Sequence, residues 1–400
     1  MKRQKLLASS SSDPLTISKC NTPSSSSYSP SDSLPPDVFM EIISKLPAKT
    51  IRNCRRVSKS WAAALRRSEF DELFLNNSRI QPLILFAFVI DGGLPFFTVP
   101  QVHEVDTFLD ATRHNTYLPI DRFSQITPPV RGLLCIEDKR RMIVVCNPIT
   151  CESVTLPKLE SNMMWSKTIL GYDPVEKQFK VFNTAWSPHH PLNTHGEHYV
   201  LTLGTGKKMV WRMIECSKPF RPVFDGGICI DGVLYYVAKL NCCPEDVVIV
   251  CFDVRFEKFS FLNKPKGMRQ IQYGSRLVNY KGQLGIVHCS NSRKINGGTK
   301  SFDLWILEDV KEQRWTKHVY VLPLVWRIKV ANTKLRILGM TGTCEIVLCP
   351  CELSDPYYIV YYNIETNSVK KIGIRGLGSF EASTTIAHLF VNYVEDVKFI

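Results

Sequence analysis

The sequence predicts a small all-α module of three helices followed by one large all-β domain, a β-propeller. Three observations carry this expectation. Between residues 34 and 75 apolar residues recur at helical spacing. From residue 82 onward the period shortens to that of strands, and four later stretches repeat one strand–turn–strand design. The chain thus divides into a Ser/Pro-rich leader at 1–33, the helical module at 34–75 and the β-domain at 80–400.

Residues 9–33 hold runs of serine broken by Pro14, Pro23 and Pro30. Such a segment has too few apolar residues to offset its ordering entropy, so it is expected to be disordered. At Leu34 the pattern changes. Val38, Ile42, Ile43 and Leu46 mark a first helix, with Pro35 and Pro36 in a first turn that tolerates proline and Pro47 as its end. A second helix is predicted from Ala48 to about Cys54, and a third from about Val57 to Arg67. The third carries Val57, Trp61, Ala64 and Leu65 on one side and Lys59, Arg66 and Arg67 on the other. About forty residues seldom bury enough core to fold unaided, so the module is expected to be completed by a partner.

The residues Leu34-Pro35, Val38, Glu41-Ile42, Leu46-Pro47, Ile51, Arg56-Val57-Ser58-Lys59 and Trp61 resemble an F-box in type and spacing. The resemblance implies docking on the Skp adaptor of a Skp–cullin–F-box (SCF) ubiquitin ligase, and through it on cullin and RING subunits. It implies that Leu34, Pro35, Val38, Ile42, Leu46, Pro47, Ile51, Val57 and Trp61 form or support that contact. Some of these must be internal core, and the sequence does not divide the two roles. Arg52, Arg55, Arg56 and Lys59 suit an acidic adaptor, through faster encounter more than raw affinity. A plain helical hairpin packed on the C-terminal domain is the structural alternative.

In the β-domain, residues 83–90 form a continuous apolar run ended by Asp91-Gly92-Gly93, a buried strand and a turn. The repeated design is an apolar strand, a turn opened by Asn, Asp or Glu, and a second strand. It occurs around Asn147, Asp253, Glu308-Asp309 and Asn363. An Asx side chain bonds backbone two residues on and nucleates such turns. Gly132, Gly232 and Gly282 lead further strands, and 170–181 is one more strand–turn–strand. Degenerate units at intervals of roughly 50 residues fit kelch-like propeller blades, with a sandwich or mixed sheet as the competing fold. Their irregular spacing leaves the number of blades open.

The stretches Gly132-Leu133-Leu134-Cys135, Cys146-Asn147-Pro148-Ile149-Thr150, Leu170-Gly171-Tyr172-Asp173-Pro174, Gly232-Val233-Leu234-Tyr235-Tyr236, Leu304-Trp305-Ile306-Leu307-Glu308-Asp309 and Tyr361-Tyr362-Asn363-Ile364-Glu365-Thr366 resemble the plant F-box-associated interaction domain. That resemblance implies a substrate receptor that holds a target protein for ubiquitination and degradation.

Composition bounds the remaining roles. The net charge of +13, from 50 Lys and Arg against 37 Asp and Glu, speaks to association rather than fold. The basic residues are scattered rather than striped with stacking aromatics, which argues against nucleic acid. Fourteen cysteines occur without a secretory h-region after Met1-Lys2-Arg3-Gln4-Lys5, which points to free thiols in a reducing cytoplasmic or nuclear setting. No stretch approaches the ~18 apolar residues of a membrane span.

Chemistry is sparse. Cys349-Pro350-Cys351 and Cys242-Cys243 lack the paired spacing of a structural zinc site. His189, His190, His195 and His198 sit in one Pro- and Gly-containing stretch and read better as an exposed polar loop than as a metal site. Gly204-Thr205-Gly206-Lys207-Lys208 reads as a hairpin turn, since a phosphate loop needs an upstream glycine and a hydroxyl residue after lysine. No spacing selects the Tyr, Cys and His set of a copper-oxidase propeller. The sequence therefore predicts no catalytic, metal-binding or cofactor-binding residue, and a non-catalytic receptor. Trp165 and Trp186 stand beside polar, loop-like sequence and mark a candidate target-binding surface. A lectin-like or small-molecule-binding propeller coupled to the ligase is the alternative function.

Overall fold

Proline sets the limits of the first helices. Pro35 and Pro47 stand at the N-caps of α1 (Pro36–Ser44) and α2 (Ala48–Cys54) in extended conformation, where neither needs an N–H to donate. The helix α3 (Lys59–Ala64) opens on Ser58, whose Oγ accepts from the Trp61 N–H at 3.1 Å. A computed structural model describes residues 35–398 apart from 91–92, 102–107, 115–117, 119–123, 188–195, 205, 207, 224–226, 241–242, 269–270, 272–274, 290–294, 354–355 and 379–385. The predicted leader and Leu34 lie outside the described residues.

A fourth helix, α4 (Ser68–Ile80), adds to the three that the sequence predicts. It is the longest described helix and carries the chain onto the β-domain. Its Phe70 and Phe74, one turn apart, are fully buried with Leu75. Asn77 Nδ2 donates to Ser44 Oγ at 2.8 Å and ties α4 to the end of α1.

The β-domain is a six-bladed propeller, one sheet per blade. The first blade pairs Leu83–Val89 with Phe96–Pro100 and, on its other edge, with the C-terminal strand Ile386–Tyr393. That strand is the innermost of the blade, so the ring is closed by joining the two ends of the domain. The fourth strand of this blade is Thr112–His114.

Blades two to five then follow the chain. Their sheets run from Gln125–Ile126 to Glu152–Thr155, from Trp165–Asp173 to Arg212–Ile214, from Phe220–Pro222 to Lys258–Asn263, and from Ser275–Tyr280 to Arg314–Val321. The sixth, Leu335–Met340 to Ser368–Arg375, takes an extra outer strand, Phe108–Asp110, in parallel.

Each blade–blade seam is filled by its own apolar cluster. Ile169, Phe182 and Val200 meet Tyr236, Val250 and Phe252 between blades three and four, for instance. The seam between blades one and two differs, because it also takes in the helices. Ile43, Ala48, Ile51, Leu65, Phe70 and Phe74 share one cluster with Leu85, Val89, Leu134, Ile149 and Tyr393. The helical module is thus completed, on this side, by its own propeller.

The Asx turns take the form the sequence predicts. The Oδ1 atoms of Asn147, Asp253, Asp309 and Asn363 accept backbone N–H groups two or three residues on, at 2.8–3.1 Å. Asp173 does the same for Val175 and Glu176. In all five, the residue four places after the Asx is left-handed: Cys151, Lys177, Glu257, Gln313 and Asn367 have φ between 48° and 61°. Because strands alternate in direction, these turns all lie on one face of the ring, here called proximal.

At Gly132 the reason for glycine is a close approach as well as φ of +73°: a Cβ there would lie 2.8 Å from the Asp396 backbone nitrogen. Arg131 and Gly132 form a tight hairpin turn beneath which the segment after the closing strand passes. Asn147 Nδ2 donates to the Asp396 carbonyl at 2.8 Å, and the Tyr393 hydroxyl donates to the Gly132 carbonyl at 3.1 Å.

One further helix, α5 (Leu324–Val330), joins the outer strand of blade five to the inner strand of blade six. The run Leu324-Val325-Trp326 reads as strand by composition, but Pro323 starts a helical turn and Trp326 is buried in the seam.

Phe70→Ala removes a ring from the shared cluster of helices and blades and is expected to cost about 3–5 kcal/mol. Denaturant unfolding followed by helical circular dichroism and by tryptophan fluorescence checks this. Because the cluster is shared, both signals should shift together.

Candidate docking surfaces

The helical module presents two kinds of surface. Toward the propeller it is dry: Ile51 and Leu65 are fully buried. Away from it, Val38, Ile42 and Val57 are 43%, 51% and 65% exposed, and Pro35 and Pro47 are exposed beside them. Of the residues expected to form or support adaptor contact, Ile51 lies wholly inside, facing the seam cluster. Trp61 and Leu46 are half-buried and pack on that cluster, with the Trp61 ring edge-on to Phe39 at 4.8 Å. Leu46 and Pro47 also line a surface cavity of about 420 Å³ with Ile80 and Leu83.

The basic residues divide as well. Arg55 turns inward, donating from Nε and Nη2 to the Leu65 carbonyl at 3.3 and 3.0 Å, whereas Arg56 and Lys59 remain exposed.

The proximal face of the ring holds the module through charge as well as apolar burial. The Ala48 N–H donates to Glu395 Oε2 at 2.9 Å. The Arg131 guanidinium lies over the Tyr172 ring at 4.4 Å, donates to its hydroxyl, and sits 3.3 Å from Asp396 and 3.8 Å from Glu72. Glu72 in turn pairs with Lys177 at 3.2 Å. Asp71 is less well served: Arg55 is 4.0 Å away. Burial, reinforced by the nearby Asp396 charge, raises its pKa to about 6.

Helix α4 also crosses the proximal mouth of the central channel. Leu75 and Arg79 line, with Tyr172, Cys229, Asn279 and Asn392, a cavity of about 370 Å³.

On the opposite, distal face the structure brings Trp165 and Trp186 together as direct cross-strand partners. Trp165 opens the innermost strand of blade three and Trp186 ends the next, so both stand at the rim farthest from the helices. Trp165 is 54% exposed, beside Met164 at 63%, and Trp186 is half-buried. Met164 N–H donates to Ser187 Oγ at 3.2 Å and fixes this corner. The other tryptophans serve elsewhere. Trp305 and Trp326 are buried, while Trp211 donates from Nε1 to the Pro157 carbonyl.

Of the histidine stretch, His189, His190 and His195 lie outside the described residues. His198 is a core residue, stacked on Phe220 at 4.7 Å. Among the described residues, no group of three or more His, Cys, Asp or Glu is placed to hold a metal ion, and the eleven cysteines whose side chains are described form no disulfide. No described helix is long and apolar enough to cross a membrane.

A helical module seated on one face of a six-bladed ring, with its own apolar surface turned outward, defines a helix-capped propeller. The F-box domain family matches residues 31–73, and the F-box associated beta propeller domain family matches residues 83–394. The chain belongs to the F-box proteins with an F-box associated propeller domain. Relatives of full length occur in Arabidopsis thaliana. F-box protein DOR is 39% identical over 92% of this chain and 94% of its own, and F-box protein At5g65850 is 37% identical over 96% and 95%. F-box protein At3g49450, from the same plant, is 34% identical over the whole of both chains.

The raised Asp71 pKa fixes the sign of a pH effect. A carboxyl raised on folding contributes stability below its unfolded pKa near 4, and that contribution is lost as pH rises through about 6. Asp71→Asn is therefore expected to stabilise the protein at pH 7.5. Two units correspond to at most about 3 kcal/mol, reduced to about 1–2 kcal/mol by residual solvent contact. The gain should fade toward pH 4.5, where the wild-type carboxyl holds its proton. Melting temperatures of both proteins across this range provide the check, and a pH-independent difference would contradict it.

Proposed function

We propose that this chain is the substrate-recognition subunit of an SCF ubiquitin ligase. The F-box docks the Skp adaptor through Pro35, Val38, Ile42, Pro47 and Val57, with Leu34 extending the contact and Leu46 and Trp61 supporting it from within. Cullin and RING subunits follow through the adaptor, in cytoplasm or nucleus. The distal face of the propeller holds a target protein, with Trp165 and Trp186 as anchors. Ubiquitin transfer belongs to the partner subunits, and this chain contributes proximity and orientation.

One observation carries the reading. After the propeller has completed the helical core from one side, three large aliphatic side chains of the F-box still face solvent. These aliphatic residues, on α1 and between α2 and α3, lie outside the core cluster that the helices share with the propeller. An interface of buried apolar anchors within a basic rim explains both them and the exposed Arg56 and Lys59.

Replacing Val38 and Ile42 together by Asp is expected to abolish co-purification with the adaptor. The melting temperature should stay within a few degrees, since neither side chain enters the seam. Undiminished adaptor binding by that double variant would sink the docking claim. Trp165→Ala with Trp186→Ala should leave adaptor binding intact and reduce capture of targets, read by proximity labelling with F-box docking disabled so that targets are not degraded.

The channel cavity of about 370 Å³ supports a second reading, a small-molecule-binding propeller coupled to the ligase. A glycan array and a metabolite screen on the full chain separate the two, because a pure protein receptor gives no hit.

A further inference from the structure

Helix α5 exposes apolar side chains at the outer edge between blades five and six, where it packs against the outer strand of blade six. Leu324 and Ile328, one turn apart, are 89% and 78% exposed. Val325 at 37% lies beside them, and Val321 and Val319, at the end of the preceding strand, add 68% and 55%. Five exposed aliphatic side chains thus fall within ten residues of chain.

The patch is rigidly held. Trp326 points inward and donates from Nε1 to the Asn296 carbonyl at 2.9 Å. The Gly297 N–H donates to the Ala331 carbonyl at 2.7 Å, an approach so close that a Cβ on Gly297 would lie 2.4 Å from that oxygen. Lys329 Nζ reaches the Val369 carbonyl, and Lys371 Nζ reaches the Lys329 carbonyl. The helix is therefore pinned to blade five on one side and blade six on the other, and its outward residues are displayed by a fixed backbone. Binding to such a surface loses little ordering entropy.

Charge identifies what fits. Residues 313–344 contain Arg314, Lys317, Arg327, Lys329, Lys334 and Arg336 and no acidic residue. Arg327 and Lys334 are exposed around the patch, as is Lys300 on the neighbouring loop. A second copy docking face to face would set like charges against each other. The chain's own leader, 1–34, carries Lys2, Arg3, Lys5 and Lys19 against Asp13 and Asp32, so it is basic too. Neither complements the site.

We propose that α5 and the end of the strand before it form a docking surface for an acidic segment of a partner protein, one that carries two or three large apolar anchors. The anchors rest on Val321, Leu324 and Ile328, and the carboxylates face Lys300, Arg327 and Lys334. This rests on the receptor reading above and names the chemistry of its target at a second place on the propeller.

The test uses the full chain and short fluorescent peptides of three designs: acidic with Leu and Phe anchors, basic with the same anchors, and acidic with serine in their place. Anisotropy is expected to show the first binding roughly tenfold more tightly than either other, a preference that weakens as salt rises. Leu324→Ser with Ile328→Ser should remove that preference, and Arg327→Glu should lower affinity for the first peptide alone. Equal binding of all three designs, or variants that bind as wild type does, overturns the proposal. So does co-sedimentation of the wild type, but not the double serine variant, with phosphatidylcholine vesicles containing phosphatidylserine, which reassigns the patch to a membrane. Adaptor co-purification is measured on the same variants. Its retention alongside lost peptide binding separates failure here from failure of the docking claim.

Discussion

The pairing of Ile386–Tyr393 with Leu83–Val89 holds the molecule together. It places a strand from the end of the domain at the centre of the blade that the beginning of the domain builds. The two seams that flank this blade depend on it, since Leu389 enters one and Phe390 and Tyr393 the other, and an open ring of six blades would leave two apolar blade faces in water. The pairing also positions the C-terminal segment. Glu395, Asp396 and Val397 pass beneath blade two and meet the helices, so the strand that closes the propeller also builds the seat of the F-box.

That seat changes the meaning of the module's small size. Forty residues are too few to fold readily without a partner, and the F-box resemblance offers the adaptor as the missing half. The propeller supplies much of that half instead, by taking Ile51, Leu65, Phe70 and Phe74 into the seam between blades one and two. The residues that remain outside, Val38, Ile42 and Val57, are the surface left over after intramolecular completion. The two apolar sides of the helices therefore meet different surroundings, although composition does not distinguish them.

Local rules are legible in the sequence, and long-range choices are not. The Asx turns at Asn147, Asp253, Asp309 and Asn363 can be read because one side chain bonding two residues on dictates each of them. Helix α4 escapes notice because Asp71, Glu72, Asn76 and Asn77 dilute its apolar spacing, leaving Phe70 and Phe74 as the main signal. Helix α5 escapes notice because its aliphatic run matches strand composition. The parallel strand Phe108–Asp110 joins a blade whose sequence lies far downstream, which no local pattern announces. The partition of Ile51 inward and Val57 outward depends on where the propeller sits. By contrast, Trp165 and Trp186 stand out for their polar neighbours, and the hairpin register makes them partners.

The bond from Ala48 to Glu395 spans 347 positions of the chain. During synthesis the F-box emerges first, at a time when the residues that hold it do not yet exist. Loop closure over such a distance is slow but costs little more free energy than closure over half of it. A chain interrupted before residue 386 has an open ring and an unseated F-box together. The attachment thus ties the two parts of the molecule in time: the helical module takes its seat only after the last strand of the propeller has been made.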